Sequence, residues 1–385
     1  VWEMYCPLIF KELNQPLGLI SAMLLGVLAL VKFSKEIPIG DRYAVVYYGS
    51  LTHEVVKIIK DRGYALLIAS SSEKAPADVL TIGYLNTLGL PIRMLEKVRK
   101  EHPEWILYTA EGEPAKYWFK TAFMCNIAVK SFQDYLMNRV KEMISRGFDG
   151  VFLDDIHEDP RYLGGPLYDT PLYDEDKYGR WLDAIVDFVK RIKEELGVIV
   201  FYNAGWSAPI KELMETVDGV LLESHPGSWR GTLEKPEYYY RDWEEIYRVS
   251  LIAQEYAKRN KIVVALSYGG SKDAEIYTFA VTRLFDFYYW YATPDLAKII
   301  DAKVLRISLG DPLMEHAKID GVYYRLYEKG MVAVNPSSRH YSIKIEVPWK
   351  ELYDLDGRRY VISKGLLKVD LPPETGLILL KYKVR

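Results

Sequence analysis

From Tyr43 to Phe285 the sequence repeats one unit, a short and nearly unbroken apolar run followed by a longer stretch of helical periodicity. The runs are YAVVYY (43–48), ALLIA (65–69), VLTIGYL (79–85), GVFL (150–153), VIVFY (198–202), GVLL (219–222) and IVVAL (262–266). Apolar runs without polar alternation belong to strands covered on both faces, as in a parallel sheet. The segments between them carry the 3.6-residue pattern, at 52–62, 132–146, 178–196, 209–216, 243–259 and 274–285, and Gly147 closes the second as a C-terminal cap. Seven such units over roughly 250 residues, with room for an eighth, predict a closed (β/α)8 TIM barrel across 41–315 rather than an open sheet. No G-x-G-x-x-G follows the first run, which argues against a dinucleotide-binding sheet. The eighth strand is open between Phe287–Tyr291 and Val304–Leu309, and Ile106–Thr109 is expected as an extra strand in a long third loop.

From about Gly321 the period falls to two. Val322–Tyr327, Met331–Asn335, Tyr341–Val347, Tyr360–Ser363, Leu366–Leu371 and Gly376–Lys381 alternate, and the turns EKG, NPSS, DLDG and PPETG separate them. This predicts a small antiparallel all-β domain, sandwich-like, over 316–385. At the other end, Leu13–Val31 carries no charge and is followed by Lys32 and Lys35. That length predicts a signal peptide or membrane anchor, with a linker, over 1–40. The expected location is extracellular, or membrane-anchored facing outside, with membrane contact only through this segment. A net charge of -3 and no run of like charges exclude a nucleic-acid partner. Cys6 and Cys125 cannot make a disulfide framework. Few cysteines with many Glu, Lys and Tyr suit a thermophile.

In a barrel the chemistry sits at the C-terminal ends of the strands, so the residue after each apolar run is the one to inspect. Two exits echo each other. Asp149-Gly150-Val151-Phe152-Leu153-Asp154 matches Asp218-Gly219-Val220-Leu221-Leu222-Glu223 almost position for position. On strands four and six, Asp154 and Glu223 would share a layer and face one another. Two facing carboxylates are the equipment of glycoside hydrolysis, one protonating the leaving oxygen and the other attacking the anomeric carbon or activating water. An acid at a strand end can equally cap a helix, and it is the echo that favours the catalytic reading. Around the pair, Tyr48, Tyr84, Asn86, Asp155, Asn203, Trp206, His225 and Tyr268 follow other strand exits, and Trp118 lies in the third loop with Glu111, Glu113 and Tyr117. As a set they suit sugar binding, because aromatic faces stack on sugars while polar groups take the hydroxyls. Trp229 adds another aromatic after Glu223. His157 and His225 with the acids could hold zinc or iron, but no H-x-H or H-E-x-x-H spacing occurs. No metal and no cofactor are expected.

The stretch Gly147–Asp155 (GFDGVFLDD) resembles the G-F-D-G-V-x-L-D-N signature of the glycoside hydrolase family 114 barrels, which include endo-α-1,4-polygalactosaminidases. The likeness extends through Tyr84-Leu85-Asn86-Thr87, through Tyr202-Asn203, where that family has Lys-Asn, and to Glu223 at its strand-six glutamate. It spans about 43–230. The resemblance implies a retaining, endo-acting hydrolase of an α-linked, amino-sugar polysaccharide, with Asp154 as nucleophile and Glu223 as acid/base. Asp155 replaces the family's Asn, and Tyr202 its Lys. Tyr324–Tyr327 through Val334-Asn335-Pro336 resembles instead the β-domain that ends several glycosidase families. A barrel that binds carbohydrate at the cell surface without turning it over is the other class. It would have no need of both acids.

Overall fold

The computed structural model describes residues 42–71, 74–117, 121–162 and 169–384. The apolar segment Leu13–Val31 and Trp118 therefore lie outside the described residues, and no described helix is long and apolar enough to cross a membrane. Eight strands form one parallel sheet in chain order: β1 (Ala44–Tyr47), β2 (Leu66–Ala69), β3 (Thr81–Asn86), β4 (Gly150–Asp154), β5 (Ile199–Gly205), β6 (Gly219–Glu223), β7 (Ile262–Tyr268) and β8 (Tyr288–Ala292). A parallel bridge from Tyr43 to Tyr289, with Tyr289 N donating to Arg42 O at 2.9 Å, joins the first and last strands. The sheet is thus a nearly closed barrel. Of the two choices for the eighth strand, the aromatic run won, pairing with β7 in the register Val264–Tyr288 to Tyr268–Ala292. Val304 and Leu305 lie instead in the 3-10 turn Lys303–Arg306.

The helices are α1 (His53–Asp61), α2 (Leu95–Glu101), α3 (Lys130–Ser145), α4 (Trp181–Leu196), α5 (Lys211–Met214), α6 (Trp243–Ala257) and α7 (Lys272–Leu284), with a single further helical turn, Glu175–Tyr178, just before α4. Thr52, Asp242 and Ser271 start α1, α6 and α7 by accepting from backbone N–H groups in the first turn. Gly197 ends α4 in the left-handed conformation. Among the described residues no helix follows β2, so one unit of the ideal eightfold repeat is reduced to a loop. Ile106–Thr109 is not a strand. It makes isolated bridges from Ile106 to Cys125 and from Tyr108 to Pro114, while Gly89–Pro91 and Ala122–Met124 pair in the same loop.

The echoed hexapeptides now have a position-by-position explanation. At the barrel floor, Asp149 Oδ2 accepts from Thr81 N at 2.9 Å, and Asp218 Oδ2 accepts from Val200 N at 2.8 Å. Each aspartate therefore satisfies an N–H at the start of the strand beside it. The glycine that follows allows close approach, because a Cβ on Gly150 would stand 2.1 Å from Ile199 O, and one on Gly219 would stand 2.4 Å from the Phe201 ring. The next three residues are buried core. Only the last position reaches the mouth.

Beyond the barrel come β9 (Ala317–Ile319), β10 (Val322–Tyr327), β11 (Gly330–Asn335), β12 (Tyr341–Glu346), β13 (Glu351–Tyr353), β14 (Arg359–Val361), β15 (Leu366–Leu371) and β16 (Thr375–Leu380). Their sheets run β9-β10-β11-β16-β13-β14 and β12-β15. Alternate residues such as Met331, Ile343, Ile345, Leu367, Val369 and Leu379 form their shared core. β9 and β13, three residues each, are too short to show a period and escaped the sequence reading. Arg325 Nη1 donates to Leu284 O at 2.9 Å, supplying a cation to the carbonyl end of α7.

Candidate active site

The mouth is built on a single amide. Asn203 Nδ2 donates to Asp154 Oδ1 at 2.9 Å and to Glu223 Oε2 at 2.8 Å. Those two oxygens can be no farther apart than the sum of the two bonds, about 5.7 Å. The amide is not free to flip, because its Oδ1 accepts from Gly205 N at 2.8 Å. Local backbone makes this possible. Tyr202 points outward, where its hydroxyl accepts from Ile210 N at 2.6 Å, so Asn203 points inward by strand alternation. The register with β6 then shifts between Asn203 and Gly205, leaving Ala204 as the extra residue of a bulge at the strand exit.

The residue after each acid turns the chain sharply: Asp155 has φ 60° and Ser224 has φ 57°, both left-handed. Asp and Ser carry that conformation at some cost, and Asp bears it better than most residues. The turn leaves Asp155 beside the pair, where its Oδ2 accepts from Asn86 Nδ2 at 2.5 Å. Asn86 itself is opposite Asp154 in the β3–β4 register. Tyr268 donates its hydroxyl to Glu223 Oε1 at 2.8 Å. Tyr84 hydrogen-bonds Asp154, and Tyr48 packs edge-on against Tyr84 with ring centroids 5.0 Å apart.

Crowding carboxyls in a desolvated mouth shifts the proton affinities of Glu223 and Asp155. Burial first, then the Asp154 charge, holds Glu223 above the usual carboxylate range, against the opposing bonds from Asn203 and Tyr268. Burial and then the charges of Asp154 and Glu223 push Asp155 well above that range. Burial, then the nearby carboxylates, also raises Tyr48, Tyr84, Tyr117 and Tyr268, so their hydroxyls remain neutral donors. The arrangement can hold a proton on one acid while leaving another free to attack.

Residues 90–331, more than half of the chain, match the family described as hypothetical glycosyl hydrolase family 15, GHL15. The chain belongs to this family. The GHL15 match carries the glycoside-hydrolase kinship, while membership of family 114 itself is not among the findings. No curated protein matches this GHL15 chain. Among solved structures it is similar to the glycoside hydrolase domain of PelA from Pseudomonas aeruginosa, at 14% identity and TM-score 0.50, over 67% of this chain and 96% of that one. It is similar also to Eubacterium rectale Amy13B, at 10% identity and TM-score 0.53, over 90% and 96%. An Anoxybacillus alpha-amylase aligns at 12% identity and TM-score 0.50, over 90% and 99%. At such identities the likeness speaks for the barrel fold alone.

Of the other residues expected at the site, Tyr48, Tyr84, Asn86, Asp155, Asn203 and Tyr268 gather around the two acids. His225 does not. It is buried, its Nε2 lies 2.8 Å from Ser250 Oγ on α6, and burial holds its pKa down at about 3. The left-handed Ser224 reverses the chain after Glu223, so the expectation that His225 faces substrate is corrected. That also separates it from the metal set considered from sequence. His157, by contrast, senses the Asp154 charge. Trp206 stands half exposed at the rim, with the Arg241 guanidinium 5.0 Å above its ring. Sequence reasoning missed the hairpin formed by Gly227–Gly231 and Pro236–Tyr240. The YYY run at 238–240 after the turn residues TLEK was its available signal.

Proposed function

We propose that this chain is a retaining, endo-acting glycoside hydrolase of an α-linked, amino-sugar-containing polysaccharide, with Asp154 the nucleophile and Glu223 the acid/base. The observation that carries the reading is the shared donor, Asn203, which keeps the nearest oxygens of the two acids within about 5.7 Å. Retaining enzymes hold their carboxyls ~5–5.5 Å apart, and inverting ones ~6.5–9.5 Å, to leave room for water. Glu223, with its raised proton affinity, gives a proton to the departing glycosidic oxygen while Asp154 bonds the anomeric carbon. Glu223, now a carboxylate, then takes a proton from the water that releases the sugar from Asp154. Asn203 serves both acids throughout, as it can donate one N–H to each.

The charges acting most strongly on Tyr48, Tyr84, Tyr117 and Asp155 come from the site's own carboxylates, with no cation among them. A mouth of that polarity favours a sugar bearing an amine and disfavours a uronic acid. Export, suggested by Leu13–Val31, would place the enzyme outside the cell with such a polymer.

The test is a panel of α- and β-linked polysaccharides incubated with wild type, Asp154→Asn and Glu223→Gln. Wild type should release reducing ends from at least one amino-sugar polymer, and each variant should lose about 10³-fold. The first-formed anomer, followed by NMR, should keep the substrate configuration. Activity should fall as pH rises through the elevated pKa of Glu223, because the proton donor is lost. A wild type that releases no more reducing ends than the variants sinks the hydrolase reading and leaves a carbohydrate-binding barrel.

A further inference from the structure

Between β6 and α6 the chain runs out as the hairpin Gly227–Gly231 and Pro236–Tyr240, in which Trp229 and Tyr238 stand opposite each other in register. Both keep part of their surface in solvent. Alternate residues of a strand share a face, and this face is turned toward the exit of β7. A Cβ on Gly227 would meet Tyr268 O at 2.4 Å, and one on Gly270 would meet the Tyr238 ring at 2.6 Å. At the base of the same face, the Tyr240 ring lies 4.3 Å from that of Tyr277 on α7, which anchors the hairpin to the barrel. The Trp229 ring sits 6.4 Å from Tyr268, and Tyr268 donates to Glu223. An indole and a phenol thus stand side by side, one aromatic ring removed from the acid.

Glycoside hydrolysis is asymmetric about the cleaved bond: the proton donor stands on the leaving oxygen's side, and the nucleophile stands at the anomeric carbon. A surface continuous with the donor therefore meets the sugar that departs. Resting on the hydrolase reading above, we propose that Trp229 and Tyr238 form the stacking platform for the leaving-group sugar. Two aromatic rings opposite each other in register on one face offer apolar surface of the kind a pyranose face covers. Binding there draws on a part of the substrate remote from the anomeric carbon, and favours internal bonds over terminal ones.

The experiment uses the polysaccharide that wild type cleaves. An oligomer extending past the cleaved bond is compared with the glycosyl fluoride of the same glycon, whose leaving fluoride places nothing on the platform. Trp229→Ala should lower the ratio of oligomer to glycosyl-fluoride kcat/KM by about tenfold, mainly through the oligomer KM. Tyr238→Ala should lower it less, and Trp229→Phe, which keeps a ring, should restore most of it. An unchanged ratio in Trp229→Ala and Tyr238→Ala overturns the platform even while wild type hydrolyses both substrates. If Trp229→Ala does not fold, the ratio measured in Tyr238→Ala and Trp229→Phe decides in the same way. Failure of the hydrolase reading is recognised separately, as a wild type inert on the whole panel, and it removes the platform with it.

Discussion

Asp149 stands just before β4 and Asp154 ends it, and the two have opposite fates. At the floor, Asp149 and its counterpart Asp218 each accept from the backbone of a neighbouring strand, and Asp218 also pairs with Lys193 at 2.7 Å. No conflict remains there, because each carboxylate meets donors. At the mouth, Asp154 and Glu223 share one amide, and Asp155 crowds beside them with Asn86 for company. Like charges gather there in a desolvated space. The same residue type, in the same repeated hexapeptide, thus stabilises one end of the barrel and strains the other. That contrast is what makes the mouth acids the candidates for chemistry, since strain of this kind is the usual companion of function.

The contrast can be broken at its strongest point. Gly150→Ala puts a Cβ against the Ile199 carbonyl, which belongs to a buried strand and cannot move aside. Its expected cost is about 3 kcal/mol, read from denaturant unfolding. A loss below 1 kcal/mol would mean that the floor is not held by close backbone packing. Next in size is Asp218→Ala, which leaves Val200 N–H without its side-chain acceptor and Lys193 without its partner. A loss of about 1–3 kcal/mol is expected. Unchanged stability would remove the claim that the floor aspartates are structural.

The smallest effect has the opposite sign. Asp155 has its proton affinity raised by folding, so the stability it lends is complete at pH below the unfolded carboxylate value and is lost as pH rises through the folded one. Asp155→Asn cannot ionise, and Asn accepts the left-handed φ of 60°. The variant should melt a few degrees above wild type at neutral pH, and the gap should close below about pH 4. A variant that melts lower at neutral pH would show that the mouth is not strained by charge.

Much of this was legible in sequence because it is local. Unbroken apolar runs announced the strands of a parallel barrel, and period-two alternation announced the β-region that follows. The two acids stood out because each ends the same hexapeptide. Helix α2, seven residues long, went unread, since short connections carry little periodicity. His225 was misplaced for a related reason. A strand exit predicts an inward side chain only while the strand geometry continues, and Ser224 ends it in one residue.

What the sequence by itself determined is seven of the eight barrel strands and the placement of Asp154 and Glu223 at the exits of two of them, because side-chain periodicity and burial are properties of neighbouring residues. Only the tertiary structure decided that Asn203 joins the two acids, from 49 and 20 residues away. That contact depends on the register of three strands and on one extra residue, Ala204, at the end of β5. A one-residue change in register would turn the amide to the helix layer. Which acid keeps the proton follows from burial and from the distance to a like charge, and both exist only once the barrel has closed.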